Sequence, residues 1–167
     1  MKVWITTVGK SPFAVINPIW MVCRKGEFIP ERVYLIWNNA VMDIKKAVEG
    51  SIKIILKNYG VSEPEIIADE SVKVREDDFK RFKEVLRDIC NKELEEGNEV
   101  AIDMTPGRKF MSALSMALGF RKLNPVHRVY YLHLIDQRYQ NKPLILIPFA
   151  LQKLYDMRRE LREDSER

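Results

Sequence analysis

Short β-branched runs alternate along this chain with longer segments whose apolar residues recur at helical spacing. Short β-branched runs at Val3–Val8, Arg32–Trp37, Glu65–Ala68 and Glu99–Met104 read as strands. Between and after them lie longer segments, Phe13–Cys23, Ala40–Asn58, Asp77–Glu95 and Lys109–Leu123, whose apolar positions return at helical spacing. Gly60 and Gly97 follow two of these helices as C-terminal stops, and Pro18 introduces a kink point into the first. Strands that alternate with helices imply a parallel sheet covered on both faces, because parallel neighbours need crossover connections and those are right-handed. The expected class is α/β, a Rossmann-like three-layer sandwich with a mainly parallel six-stranded sheet.

After the fourth helix the pattern changes. Two apolar runs, His127–Ile135 and Pro143–Pro148, flank the polar stretch 136–142, which predicts an antiparallel hairpin at the sheet edge. Residues 151–167 then mix Lys153, Arg158, Arg159, Glu160, Arg162 and Glu163 with Leu151, Leu154, Tyr155 and Leu161, the composition of a solvated helix or docking arm. The expected organisation is one domain over 1–150 and a charged helical tail over 151–167, too short for an effector domain. The helix Phe110–Phe120 is apolar or small on nearly every face and is expected to be buried all round. Either it presses on the sheet as a central helix or part of its surface meets another subunit.

Composition narrows the function. The 167 residues suit one domain with a sizeable core. With 28 basic against 24 acidic residues the formal charge is only +4, so no long nucleic acid is expected as a partner and any anion site is local. Cys23 and Cys90 sit apart in helical segments and read as buried reduced thiols, and with His127 and His133 the only histidines, no metal and no cofactor are expected. The N-terminal run lacks the form of a signal peptide and no apolar run approaches the ~18 residues of a membrane span, so no membrane association and a cytoplasmic location are expected.

In a doubly wound sheet, ligands sit beyond the carboxyl ends of the strands at the switch point. That rule selects two loops: Gly9-Lys10-Ser11-Pro12 after the first strand, and Thr105-Pro106-Gly107-Arg108-Lys109 after the fourth. The second has what a phosphate site needs, a glycine for close backbone approach, a helix start with free N–H groups, and two adjacent bases. It also fits a plain helix start, with Thr105 as cap and Pro106 at the first helical position. The first loop fits an ordinary turn capped by Ser11. A dinucleotide site is excluded because a single Gly9 replaces G-x-G-x-x-G and Asn38-Asn39 replace the acid after strand two; a P-loop is excluded by the missing first glycine. Arg121 and His127 match the R-x(4–6)-H spacing of HEPN ribonucleases, but the match straddles a helix end and a proline, so nothing sets the two on one face.

The run Thr105-Pro106-Gly107-Arg108-Lys109-Phe110-Met111 resembles the T-G-G-T-K-x-M signature of CRISPR-associated Rossmann-fold (CARF) domains, with Thr105, Gly107, Lys109 and Met111 matching and Pro106 and Arg108 departing. The alternating layout, Ser11 after strand one and the terminal hairpin extend the resemblance over nearly 1–148. The Arg108-Lys109 pair is similar to that of archaeal CARF-type ring nucleases acting on cyclic tetra-adenylate.

The resemblance implies a homodimer with a cyclic oligoadenylate over its two-fold axis, held by both loops, with Asn38 as a base contact; Asn38 also fits a turn asparagine. It further implies that Ser11, Arg108 and Lys109 promote attack of a ribose 2′-hydroxyl on the adjacent phosphate, ending CRISPR signalling without a metal or a dedicated general base. Two alternatives stay open: a CARF sensor that binds without cleaving, and an unrelated Rossmann-like enzyme acting on a mononucleotide or phosphorylated metabolite.

Overall fold

A computed structural model describes the backbone of residues 1–163 and the side chains of residues 1–161. The elements are β1 (Lys2–Thr7), α1 (Pro12–Arg24), β2 (Arg32–Ile36), α2 (Met42–Asn58), β3 (Glu65–Ile67), α3 (Phe79–Glu95), β4 (Glu99–Asp103), α4 (Lys109–Gly119), β5 (Arg128–Leu134), β6 (Gln152–Asp156) and α5 (Met157–Glu163). They form one six-stranded sheet in the order β3-β2-β1-β4-β5-β6. All neighbours are parallel except β5 and β6, so the fold is the Rossmann-like α/β arrangement that the alternation of strands and helices implied. Right-handed crossovers then put α1 and α2, which pack together, on one face and the α3–α4 pair on the other.

Burial follows the sequence pattern. Val3, Trp4 and Ile5 of the central strand are fully enclosed, as parallel strands covered on both faces require. Trp4 stacks on Tyr130 of β5 with ring centroids 5.4 Å apart. On α3, Phe82, Val85, Leu86, Ile89 and Cys90 form the buried stripe, and Asp78 caps the helix by accepting from the Arg81 N–H at 2.9 Å. Cys23 and Cys90 are free and buried, and burial pushes both thiols up to about 12. Among the described residues no helix is long and apolar enough to cross a membrane.

Three expectations are corrected. First, Pro143–Pro148 is not the second strand of the hairpin. It forms a 3₁₀ turn at Leu144–Leu146, followed by another at Phe149–Leu151, and β6 begins only at Gln152. The reason lies in α1: Asn17 donates to the Lys142 carbonyl and accepts from the Leu144 N–H, both at 2.9 Å, so this backbone is tied to the helix instead of β5. Second, residues 152–156, placed in a helical tail by their charges, complete the sheet, with Leu134↔Gln152 and Leu132↔Leu154 in register. Helix starts only at Met157; the Arg162 and Glu163 side chains and residues 164–167 lie outside the described residues. Third, α4 is not buried all round. Only Met111, Ser115 and Gly119, spaced i, i+4, i+8, are buried, while Ala113 and Ala117 are exposed.

Candidate functional site

The site begins with two neighbouring strands whose ends part company. β1 and β4 are in register from Lys2↔Glu99 to Ile5↔Ile102. Past that point the Val8 N–H donates to Ile36 O at 2.8 Å, on the β2 side, while the Met104 N–H donates to Tyr130 O at 2.9 Å, on the β5 side. The chain ends diverge and leave the crevice that a switch point creates.

Side chains fix the shape of the second loop from below. The Thr6 hydroxyl donates to Asp103 Oδ2 at 2.9 Å, linking the two strands, and Asp103 Oδ1 accepts the Thr105 N–H at 2.9 Å. Asp103 is buried, and desolvation pushes its carboxyl up to about 7 even though the hydrogen bonds from Thr105 and Thr6 favour the carboxylate. The Thr105 hydroxyl accepts the Leu132 N–H at 2.9 Å, and the Ser112 hydroxyl donates to Met104 O at 2.8 Å. Thr105 therefore ties the loop to β5. It does not cap α4, whose cap position is Arg108, so the plain helix start with Pro106 at the first helical position is not what forms.

Gly107 has φ +95°, a left-handed conformation that a side chain would oppose, and a Cβ there would meet Met111 Sδ at 3.2 Å and Thr7 Cγ2 at 3.4 Å. That turn carries the second loop against the first: a Cβ on Gly9 would lie 3.4 Å from Gly107 N. The two loops touch through backbone.

Above this contact lies a cavity of about 300 Å³. Gly9, Lys10, Ser11, Asn38, Thr105, Pro106, Gly107, Arg108 and Met111 line it, which gathers all the residues the sequence singled out except Pro12 and Lys109. Pro12 opens α1 as its first residue, and Lys109 opens α4 with its side chain exposed. Met111 is buried and forms floor. Asn38 Oδ1 accepts the Ala40 N–H at 2.9 Å, so it is the turn asparagine that its position suggested, and its amide N–H₂ is the end left for the cavity.

Two helices start here. Ser11 and Arg108 occupy the cap positions of α1 and α4 in extended conformation, and neither side chain caps its helix. Both first turns thus lack a side-chain cap beside the crevice, and helix starts of this kind suit an anion.

The sequence missed Glu76. It lines the cavity and accepts from Arg108 Nε at 2.6 Å and Nη2 at 2.5 Å. Its neighbours Arg75, Asp77 and Asp78 make the segment read as a solvated charge run, and no local pattern marks which of these charges turns inward. The apolar Val8, Ala14, Ala40 and Val41 complete the wall. The other sequence candidate dissolves: His127 Nδ1 accepts the Val100 N–H at 3.0 Å and Arg121 Nε donates to Asn124 O at 2.7 Å, so both are used by backbone.

No family model and no curated protein matches this sequence. Among solved structures the chain is similar to Can2 from Sulfobacillus thermosulfidooxidans in complex with cyclic tetra-adenylate, with TM-score 0.51 and 17% identity over 83% of this chain and 33% of that one. It is also similar to Enterococcus italicus Csm6 bound to cyclic hexa-2′-fluoro-hexa-dAMP, with TM-score 0.58 and 17% identity over 81% of this chain and 33% of that one. The likeness is one of fold, and this chain spans about a third of the length of each.

Proposed function

We propose that this chain is a CARF domain that binds a cyclic oligoadenylate at the switch point and cleaves it. One observation carries the reading: the Gly9 and Gly107 loops meet beneath a cavity lined by Ser11, Thr105-Pro106-Gly107-Arg108 and Asn38, beside which two helices start without side-chain caps. Phosphodiester oxygens suit such helix starts, and Can2 and Csm6, which share the fold, are bound to cyclic oligoadenylates. Phe110, Leu114, Met116 and Leu118 of α4 pack against this chain's own core. A homodimer is proposed on symmetry alone, since a two-fold pair gives a cyclic ligand two copies of the site about one axis.

In the cleavage step the ribose 2′-oxygen attacks the adjacent phosphorus, the P–O5′ bond breaks, the 2′-hydroxyl loses its proton and the 5′-oxygen gains one. The products are a linear adenylate with a 2′,3′-cyclic phosphate and a 5′-hydroxyl. Ser11 orients the 2′-hydroxyl or a phosphate oxygen, and Arg108 and Lys109 stabilise the phosphorane charge.

A second reading, a sensor that binds without cleaving, draws support from Lys109 standing outside the cavity lining and from Arg108 being held by Glu76. Single-turnover incubation with radiolabelled cyclic tetra-adenylate and cyclic hexa-adenylate in EDTA separates the readings. Linear products ending in a 2′,3′-cyclic phosphate establish a ring nuclease, a retained intact ring establishes a sensor, and neither discards the CARF reading.

A further inference from the structure

Arg108 and Glu76 meet in a one-sided way. Both contacts from the guanidinium, Nε at 2.6 Å and Nη2 at 2.5 Å, fall on Glu76 Oε1. Among the described residues, Glu76 Oε2 and Arg108 Nη1 have no hydrogen-bond partner. The pair therefore keeps a free acceptor on one side and a free donor edge on the other. The backbone holds Glu76 in place: two residues before it the Val74 N–H donates to Trp37 O at 2.8 Å, with Val74 buried, and two residues after it the Asp78 N–H donates to Arg75 O at 3.1 Å. Lys10, Glu76 and Arg108 are the charged residues lining the cavity, and Glu76 is the sole carboxylate among them.

Attack by a ribose 2′-oxygen needs an acceptor for its proton, and among the lining side chains the carboxylate is the group with the chemistry to take it. Arg108 has donors to spare: Nη1 can hold a non-bridging phosphate oxygen while Nε and Nη2 stay on Glu76. One planar guanidinium then sets the base beside the phosphorus under attack. We infer that Glu76 is the general base of the cleavage step and that its Oε2 takes the proton of the attacking 2′-hydroxyl. The O2′–P bond forms, the P–O5′ bond breaks, and water protonates the departing 5′-oxygen. The hydroxide so formed takes the proton back from Glu76, which restores the carboxylate. This rests on the proposed cleavage reading.

The test measures single-turnover cleavage of saturating cyclic tetra-adenylate by the full chain, together with its Kd. Glu76 is partly exposed, so its substitution leaves the core intact. In Glu76→Gln the amide oxygen still accepts from Arg108 and from a hydroxyl but takes no proton, so the rate is expected to fall by roughly 100-fold, the low end of what a positioned base contributes, with binding no weaker than in the wild type. In Glu76→Ala, acetate is expected to restore part of the rate, and fluoroacetate, close in size and less basic, less of it. A group that merely positions Arg108 would not show that order. A saturated Glu76→Gln that cleaves at the wild-type rate or faster, or a Glu76→Ala without basicity-dependent rescue, overturns the inference and leaves the site and its reaction standing. A wild type that binds the ring without cleaving it overturns the cleavage reading itself, and this inference with it.

Discussion

Gly9 and Gly107 stand backbone to backbone across the switch point, with the position of a Cβ on Gly9 3.4 Å from the Gly107 nitrogen. The two positions differ in what they tolerate. Gly107 has φ +95° and Met111 Sδ would be 3.2 Å from its Cβ, so Gly107→Ala is expected to destabilise the protein by about 1–2 kcal/mol. Gly9 has no such backbone constraint, and Gly9→Ala is expected to stay within about 0.5 kcal/mol of the wild type. Urea midpoints of both variants check the contrast; equal losses would contradict it.

Glu76 competes for the charge of Arg108. Because the pair is partly exposed, its contribution to stability is small, but a carboxylate in an anion site opposes every phosphate that enters. Glu76→Gln is expected to tighten cyclic oligoadenylate binding by about two- to fivefold at low salt, with a smaller effect at high salt. Titration calorimetry at two ionic strengths measures both, and weaker binding in the variant would assign Glu76 a direct contact with the ligand instead.

Asp103 makes stability depend on pH in an unusual sense. Its carboxyl moves from the ordinary 3.8 up to about 7 on folding, so between these values the folded protein binds more protons than the unfolded chain. The contribution is fully present below pH 4 and is lost as pH rises through 7, with a slope approaching about 1.4 kcal/mol per pH unit in between. Asp103→Asn removes this loss while keeping a side-chain oxygen for the Thr105 N–H. Denaturation midpoints of the two proteins from pH 4 to 8 are expected to diverge in that direction, and parallel profiles would refute it.

Ser11 and Lys109 separate positioning from charge. Ser11 faces the cavity, and Ser11→Ala is expected to lower the single-turnover cleavage rate by roughly 10- to 100-fold with little change in Kd. Lys109 is exposed at the start of α4, and Lys109→Ala is expected to lose cleavage while keeping part of the binding. Unchanged turnover in both variants would sink the assignment of the reaction to these loops.

Much of the fold was legible. Short β-branched runs and apolar positions at helical spacing identified β1 to β5 and α1 to α4 because local burial imprints itself on local sequence. Where the sequence misled, a distant group had claimed the backbone. Asn17 captured Lys142 and Leu144, which turned an apolar run into a 3₁₀ turn, and β6 carries Lys153 and Asp156 because only one face of an edge strand is buried. Glu93 is a stronger case: a charge within an apparently ordinary amphipathic helix is fully enclosed, since Arg32, Tyr34 and Asn98 all donate to it.

For the site, the sequence by itself determined the two loops, since Gly9, Ser11, Gly107 and the Arg108-Lys109 pair lie where strand ends meet helix starts and their chemistry is local. Only the tertiary structure decided which charges meet. Glu76 reaches Arg108 from 32 positions away, and Lys109 falls outside the cavity beside its neighbour Arg108. The physical reason is range. Propensity and periodicity act over one or two turns of chain, whereas hydrogen bonding and burial act through space and are set by the strand order that brings β1 beside β4 and β5 beside β6.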